Sequence, residues 1–208
     1  MTSQALSKGL PHGRQARPAG TLPFAGGGAE LALALGRAHE LCGPARRALA
    51  LLLAGATEGP VLWVHAQHMA ERLHPDGVAA LCDPGRLVFV NCPHERDLLW
   101  CAEEGLRSGA APVVVTELPA PPALTPVRRL HLAAEAGQER SGSPPLGLLL
   151  TPETGGAQGV ESRWHMAGCC DAPAQARRSW RLECLRQRGG MPGIWRLDLH
   201  PEGPRAQR

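Results

Sequence analysis

From about residue 30 onward, short continuous apolar runs alternate with amphipathic stretches. Residues 60–64, 86–90, 112–118 and 146–150 are apolar runs of strand length, bounded by Pro, Gly or polar residues. Between them, 94–108 places Leu98, Cys101, Ala102, Gly105 and Leu106 on one helical face with Glu103 and Arg107 opposite, and Gly109 is a suitable stop. Thr125-Pro126 supplies an N-cap and a first-turn proline for a helix from Val127 that closes at Gly137, and 66–73 reads as a short helix. Continuous strands separated by amphipathic helices predict an α/β fold, with a mainly parallel sheet covered on both faces. Three later segments, 162–167, 180–186 and 194–199, alternate apolar and polar residues and predict an antiparallel C-terminal extension. Gly189-Gly190 and Pro192-Gly193 predict a hairpin between the last two, while 138–145 and 153–159 read as loops.

Composition adds boundaries. Residues 1–28 are rich in Gly, Pro, Arg and Ser and carry too few apolar groups to offset ordering entropy, which predicts a flexible arm. Residues 29–200 are expected to form a single α/β domain, and 201–208 a disordered tail. A formal net charge of +3 on 208 residues decides nothing about nucleic acid. The cysteines at 42, 82, 92, 101, 169, 170 and 184 are odd in number and lack a C-x-x-C pair, so neither a disulfide framework nor a zinc ribbon is expected. They read as small buried hydrophobes in a reducing compartment; the adjacent Cys169 and Cys170 would point to opposite faces of a strand. No apolar run approaches the roughly 18 residues of a membrane span, and a cytoplasmic protein without membrane contact is the expectation.

The chemistry-bearing stretch is 38–49, where a short strand meets Gly43-Pro44 and a helix follows at once. This is the outline of a phosphate-binding loop without its Gly-Lys-Ser/Thr, the triplet that wraps phosphate oxygens in backbone amides, adds an ammonium and gives Mg²⁺ a hydroxyl. Lys8 is the single lysine of the chain. Arg46 and Arg47 offer charge, but a guanidinium lacks the compact point charge of lysine. His65 and His68 read as polar caps rather than metal ligands, and Arg128-Arg129 as a solvated helix face.

Several segments, in order, resemble the core of the RecA recombinase family. Residues 36–44 look like the strand entering its phosphate loop, and Val64-His65-Ala66-Gln67-His68 like the strand end bearing its catalytic glutamate. Leu106-Arg107-Ser108-Gly109-Ala110 running into Val113-Val114-Val115-Thr116-Glu117 resembles the helix and strand that carry its Mg²⁺-associated aspartate. Arg186-Gln187-Arg188-Gly189-Gly190 is similar to its basic turn toward a neighbouring subunit's nucleotide. The His-Glu-Leu strand at 39–41 and the Arg-x-Arg-Gly-Gly-x-Pro-Gly-x-Trp run at 186–195 look like the ImuA branch, RecA-like accessory factors of bacterial damage-induced mutagenesis.

That resemblance implies a RecA-like core and a nucleotide site lost in several places. Gly43 and Pro44 remain of the phosphate loop, with Arg46 and Arg47 beside them; Gln67 replaces the glutamate, and Glu117 keeps a carboxylate at the metal position. A neutral amide can orient water but cannot take its proton. No cofactor, no metal and no enzymatic activity are therefore expected, and 40–47 is expected to be a structural turn. The resemblance also implies partnership with an inactive Y-family polymerase homologue in a translesion complex, within the SOS response, with the RecA recombinase and DNA as further contacts. Arg186, Arg188, Arg14 and Arg17 are the candidate contact residues, and the protein is expected to be a monomer or a heteromeric subunit. Pro152-Glu153-Thr154-Gly155-Gly156 resembles a DNA-contacting loop of recombinases but holds no cation for phosphate. The sequence admits two alternatives: a divergent NTPase using Arg46 or Arg47, and a SulA-like cell-division inhibitor.

Overall fold

The structure, a computed structural model, describes residues 20–27, 30–69, 71–170 and 176–208. The strands are β1 (Thr21–Pro23), β2 (Ala32–Ala34), β3 (Ala38–Cys42), β4 (Val61–Ala66), β5 (Leu87–Cys92), β6 (Val113–Glu117), β7 (Leu146–Leu150), β8 (Ser162–Gly168), β9 (Arg178–Gln187), β10 (Gly193–His200) and β11 (Gly203–Gln207). The helices are α1 (Arg46–Gly55), α2 (Pro75–Ala79), α3 (Leu98–Ser108) and α4 (Leu124–Ser141). Among the described residues, β1 and β2 form a small ribbon, and the other strands form one sheet in the order β11-β10-β9-β8-β3-β7-β6-β4-β5. From β8 to β5 every pairing is parallel, and from β8 to β11 every pairing is antiparallel.

Alternate residues of the central strands feed two apolar layers, as strand geometry requires. On one side Leu41, Trp63, Val115 and Leu148 pack with the Leu49–Ala54 run of α1 and with Trp164 and Leu182 from the antiparallel strands. On the other side Ala38, Val64, Val114 and Leu149 pack against Leu98, Ala102 and Leu106 of α3 and Val127, Leu130 and Ala134 of α4. The expected α/β class, mainly parallel sheet, flanking helices and antiparallel C-terminal strands are all present.

The differences have local causes. No helix forms over 66–73, where described: the chain turns at Gln67-His68, and the short α2 waits for Pro75, whose fixed φ suits a first helical position while disfavouring helix immediately before it. Helix α4 starts from Ala123 rather than Thr125 and runs through Gly137 to Gly142, which takes the left-handed conformation at φ 77°. Part of the loop expected at 138–145 is therefore helix. Gly137 lies inside α4 because α3 crosses there: an added Cβ would stand 2.0 Å from the Leu106 carbonyl oxygen. Glu103, expected on the solvent face of α3, is 7% exposed and meets Arg107 and, at 2.6 Å, Arg129 of α4.

Strand β8 was expected within the antiparallel extension, yet it pairs in parallel with β3 before meeting β9 in antiparallel register. Residues 201–208, expected as a disordered tail, contain β11, paired with β10 from Arg196↔Gln207 to His200↔Gly203. The end of the expected arm is ordered as well, since β1 pairs with β2 and Phe24 packs edge-on against Trp164 at 5.7 Å between ring centroids. The remainder of that arm, residues 1–19, lies outside the described residues.

Glycine to alanine inside a helix normally stabilises by about 1 kcal/mol. At Gly137 the sign should reverse: Gly137→Ala must push α4 off α3 and should cost about 1–3 kcal/mol. A urea midpoint equal to or above that of the parent chain would contradict this packing.

Candidate functional site

Parallel strands converge their C-terminal ends on one edge of the sheet, and the loops there are where such folds carry their chemistry. Here that edge is built by Cys42-Gly43 after β3, Gln67 after β4, Glu117 at the end of β6 and Thr151 after β7. Because β7 and β8 flank β3 in parallel, residues 151–161 must return the length of the sheet, a task that most parallel connections give to a helix. These residues return without one. The path is tied to β3 at successive points, with Thr151 N–H donating to Leu41 O at 3.1 Å and Glu161 N–H to Ala38 O at 2.9 Å.

Midway along β3, Glu40 supplies the rest of the attachment. Its carboxylate is fully buried. Oε1 accepts hydrogen bonds from Thr151 Oγ1 at 2.7 Å, Gly156 N at 2.8 Å and Ala157 N at 3.0 Å. Arg163 of β8 donates from Nε to Oε2 at 2.5 Å and from Nη2 to the Ala157 carbonyl at 2.9 Å. Gly155 is required here, since it adopts φ 73° and a Cβ would come within 2.7 Å of Glu40 Oε1. The Pro152–Gly156 loop thus ends with the amides of Gly156 and Ala157 turned inward onto a carboxylate. Glu40 itself lies in a strand, so the structural turn expected over 40–47 is confined to Gly43-Pro44-Ala45.

That turn is closed by the protein's own groups. Gly43, at φ 85°, donates from N to the Glu153 carbonyl at 2.9 Å, and Ala45 N donates to the Met166 carbonyl at 2.9 Å. A Cβ on Gly43 would meet Met166 O at 2.6 Å and the His165 ring at 2.7 Å. Arg46 folds back, its Nη1 donating to Gly43 O at 3.1 Å. Pro44 is exposed. Amides that would face a phosphate in a working loop are spent on carbonyls of neighbouring strands and loops.

From the first turn of α1, Arg47 reaches across the sheet edge. Its Nε donates to Glu117 Oε2 at 2.8 Å and its Nη1 to Glu71 at 2.6 Å, while the indole N–H of Trp63 donates to Glu117 Oε1 at 2.8 Å. Burial opposes the Arg47 charge, and the hydrogen bonds and charges of Glu117 and Glu71 overcome it, leaving its pKa raised. Glu117 is 6% exposed and both of its oxygens are engaged, so it is not a solvated strand-end carboxylate. Beside it lies a cavity of about 250 Å³ lined by Trp63, His65, Arg72, Phe89 and Asn91.

The remaining expected residues are dispersed. Gln67 is exposed, its backbone N–H bonded to Cys92 O at 2.8 Å. His65 is buried against the Ala66 carbonyl, whereas His68 is exposed and 3.4 Å from Glu95. Arg186 and Arg188 are exposed near the β9–β10 turn, beside the exposed Met191 and Ile194, with Arg188 4.0 Å from Glu161. Arg14 and Arg17 lie outside the described residues. Among the described residues no group of three or more His, Cys, Asp or Glu is placed to hold a metal ion, and no helix is long and apolar enough to cross a membrane.

Trp63, Glu71, Thr151 and Arg163 carry the site and were not singled out in the sequence. A charged residue within the otherwise buried Ala-His-Glu-Leu-Cys strand was a visible sign that Glu40 needed partners, but nothing local named them.

Comparison with curated proteins finds the chain 32% identical over 210 aligned positions to Protein ImuA of Caulobacter vibrioides strain NA1000 / CB15N, covering 86% of this chain and 80% of that protein. Protein ImuA of strain ATCC 19089 / CIP 103742 / CB 15 matches to the same extent. No protein-family model matches.

Two measurements address this edge. Glu40→Gln removes the charge facing Arg163 and places an amide N–H₂ among donors, so it should cost about 2–4 kcal/mol and speed hydrogen exchange at 155–157. Unchanged exchange there would contradict the anchoring role. His39, next to Glu40, hydrogen-bonds Ser162 Oγ at 2.6 Å and Ala34 O at 2.8 Å, and burial lowers its pKa from 6.5 to about 4. The unfolded chain therefore binds this proton first: the stability contribution is complete above pH 6.5 and declines toward pH 4, by on the order of 3 kcal/mol. Denaturation across that window should lose this slope in His39→Gln.

Proposed function

The chain belongs to the ImuA family, and from that premise we propose that it serves damage-induced mutagenesis as a non-catalytic, RecA-like accessory protein. The observation that carries the absence of catalysis is the Arg47–Glu117–Trp63 cluster beside the closed Gly43-Pro44-Ala45 turn. A nucleotide site of this architecture needs free amides, a cation for the phosphates and a carboxylate open to Mg²⁺. Here the amides bond to Glu153 and Met166, and cation and carboxylate neutralise each other. The reading gives Gly43, Pro44, Arg46, Arg47, Gln67 and Glu117 structural rather than catalytic roles.

The work of such a protein is docking. We assign it to a cytoplasmic translesion polymerase complex containing an inactive Y-family polymerase homologue, with the RecA recombinase and DNA as further contacts. The β9–β10 turn suits a partner surface because it joins the exposed guanidinium groups of Arg186 and Arg188 to exposed Met191 and Ile194, a mixture of charge and apolar area common at interfaces.

Titration of the protein with ATP and Mg²⁺ in a calorimeter should give no binding heat; micromolar affinity would favour a divergent NTPase. Glu117→Ala should lower stability by about 2 kcal/mol, because it leaves Arg47 and the Trp63 indole without their shared acceptor. Loss of ATP hydrolysis without loss of stability in that variant would overturn the structural role. Capture of the protein from cells exposed to a DNA-damaging agent should recover polymerase components, and recovery should fall at least tenfold in the Arg186→Glu/Arg188→Glu variant. Recovery of the division GTPase would instead support a SulA-like inhibitor.

A further inference from the structure

Among the described residues the sheet ends at β5, which pairs on one side with β4. Val88 and Phe89 on this strand are about half exposed, at 50% and 47%. At its C-terminal end the thiol of Cys92 points under α3, where it meets the thiol of Cys101 with the sulfurs 3.5 Å apart. Cys92 is 2% exposed and Cys101 is partly open to solvent. The other buried thiols donate to oxygen instead: Cys42 to the Trp164 carbonyl, Cys82 to the Asp83 carbonyl and Cys184 to the Gln187 side chain.

We propose that Cys92 and Cys101 are a peroxide-sensitive dithiol that closes to an intramolecular disulfide and fastens the edge strand β5 to α3. Sulfur atoms at 3.5 Å need to approach by about 1.5 Å to reach bonding distance, a change within the range of side-chain rotation. The two residues are joined through the short 3-10 turn Glu95–Asp97, so the ring closed is small and local.

The chemistry balances with one hydroperoxide. The sulfur of Cys101, the partner reachable from solvent, attacks a peroxide oxygen; the O–O bond breaks, the distal oxygen leaves as water, and Cys101 becomes a sulfenic acid. The sulfur of Cys92 then attacks the sulfur of Cys101, the S–O bond breaks, and the departing hydroxide leaves as water with the Cys92 proton. Two thiols and one peroxide give one disulfide and two waters. Burial, which places Cys92 out of reach of the peroxide, assigns it the second step; burial and the hydrogen bond to Cys101 also push its thiol up to about 12, so it brings the proton that leaves with the hydroxide.

The test uses the full chain treated with hydrogen peroxide at near-equimolar amounts, alkylated under denaturing conditions and mapped by mass spectrometry. The expected result is a peptide cross-linked between Cys92 and Cys101, lighter by two hydrogens and released by dithiothreitol, with slowed hydrogen exchange across 87–92. The cross-link should be absent in Cys101→Ser, whose fold is checked by circular dichroism. Recovery of Cys92 and Cys101 as separate alkylated thiols while the exposed Cys170 is oxidised would overturn the proposal. So would conversion of Cys101 to sulfinic acid without a cross-link, since it would show that Cys92 does not reach it.

Discussion

A carboxylate buried in the middle of a strand is the constraint around which this molecule is arranged. A Glu40 carboxylate at the centre of β3 is tolerable only if its oxygens find donors, and the returning segment after β7, together with Arg163 of β8, supplies them. The dependence runs both ways. Residues 151–161 have no helix to satisfy their backbone, and without Glu40 the amides of Gly156 and Ala157 would lie against an apolar strand face. Arg163 then brings β8 into parallel register with β3, which lets the antiparallel strands β9 to β11 continue the same sheet.

This arrangement also governs the neighbouring edge. With 151–161 laid across β3, the Glu153 carbonyl is available to Gly43, and β8 brings the Met166 carbonyl to Ala45. The turn between β3 and α1 can then be short. A short turn in turn sets α1 close to the strand ends, and Arg47 reaches both Glu117 and Glu71. The compact loop and the part-buried Arg47–Glu117 ion pair are two results of one path of the chain.

The sequence revealed what depends on neighbours along the chain. The buried strands around Trp63, Val115 and Leu148 were legible because uninterrupted apolar runs admit little else, and α3 because Leu98, Ala102 and Leu106 share a face ending at Gly109. Long-range pairing stayed hidden. Gly137 reads as a helix stop until α3 is seen crossing it, and Glu103 reads as solvated until Arg129 arrives from α4. At the candidate site Gly43, Arg47 and Glu117 could be picked out, but not that Arg47 and Glu117 touch, nor that Trp63 lies beneath them. Strand β11, with its Gly-Pro-Arg start, lacks the apolar alternation that marks a strand; it is held by its pairing with β10 and by Ala206 N–H on the Ala25 carbonyl.

The closed turn at Gly43 has a bearing on descent. For a chain arranged this way, a phosphate cradle is not one substitution away: a lysine at 46 or 47 would still face a turn whose Gly43 and Ala45 amides are bonded to the Glu153 and Met166 carbonyls. Opening it would require added residues between Gly43 and Arg46, displacement of the 151–161 crossover and release of Glu117 from Arg47. Each change would break hydrogen bonds that the present fold uses, and most changes of that kind cost stability. The geometry acts as a ratchet against building such a cradle one residue at a time.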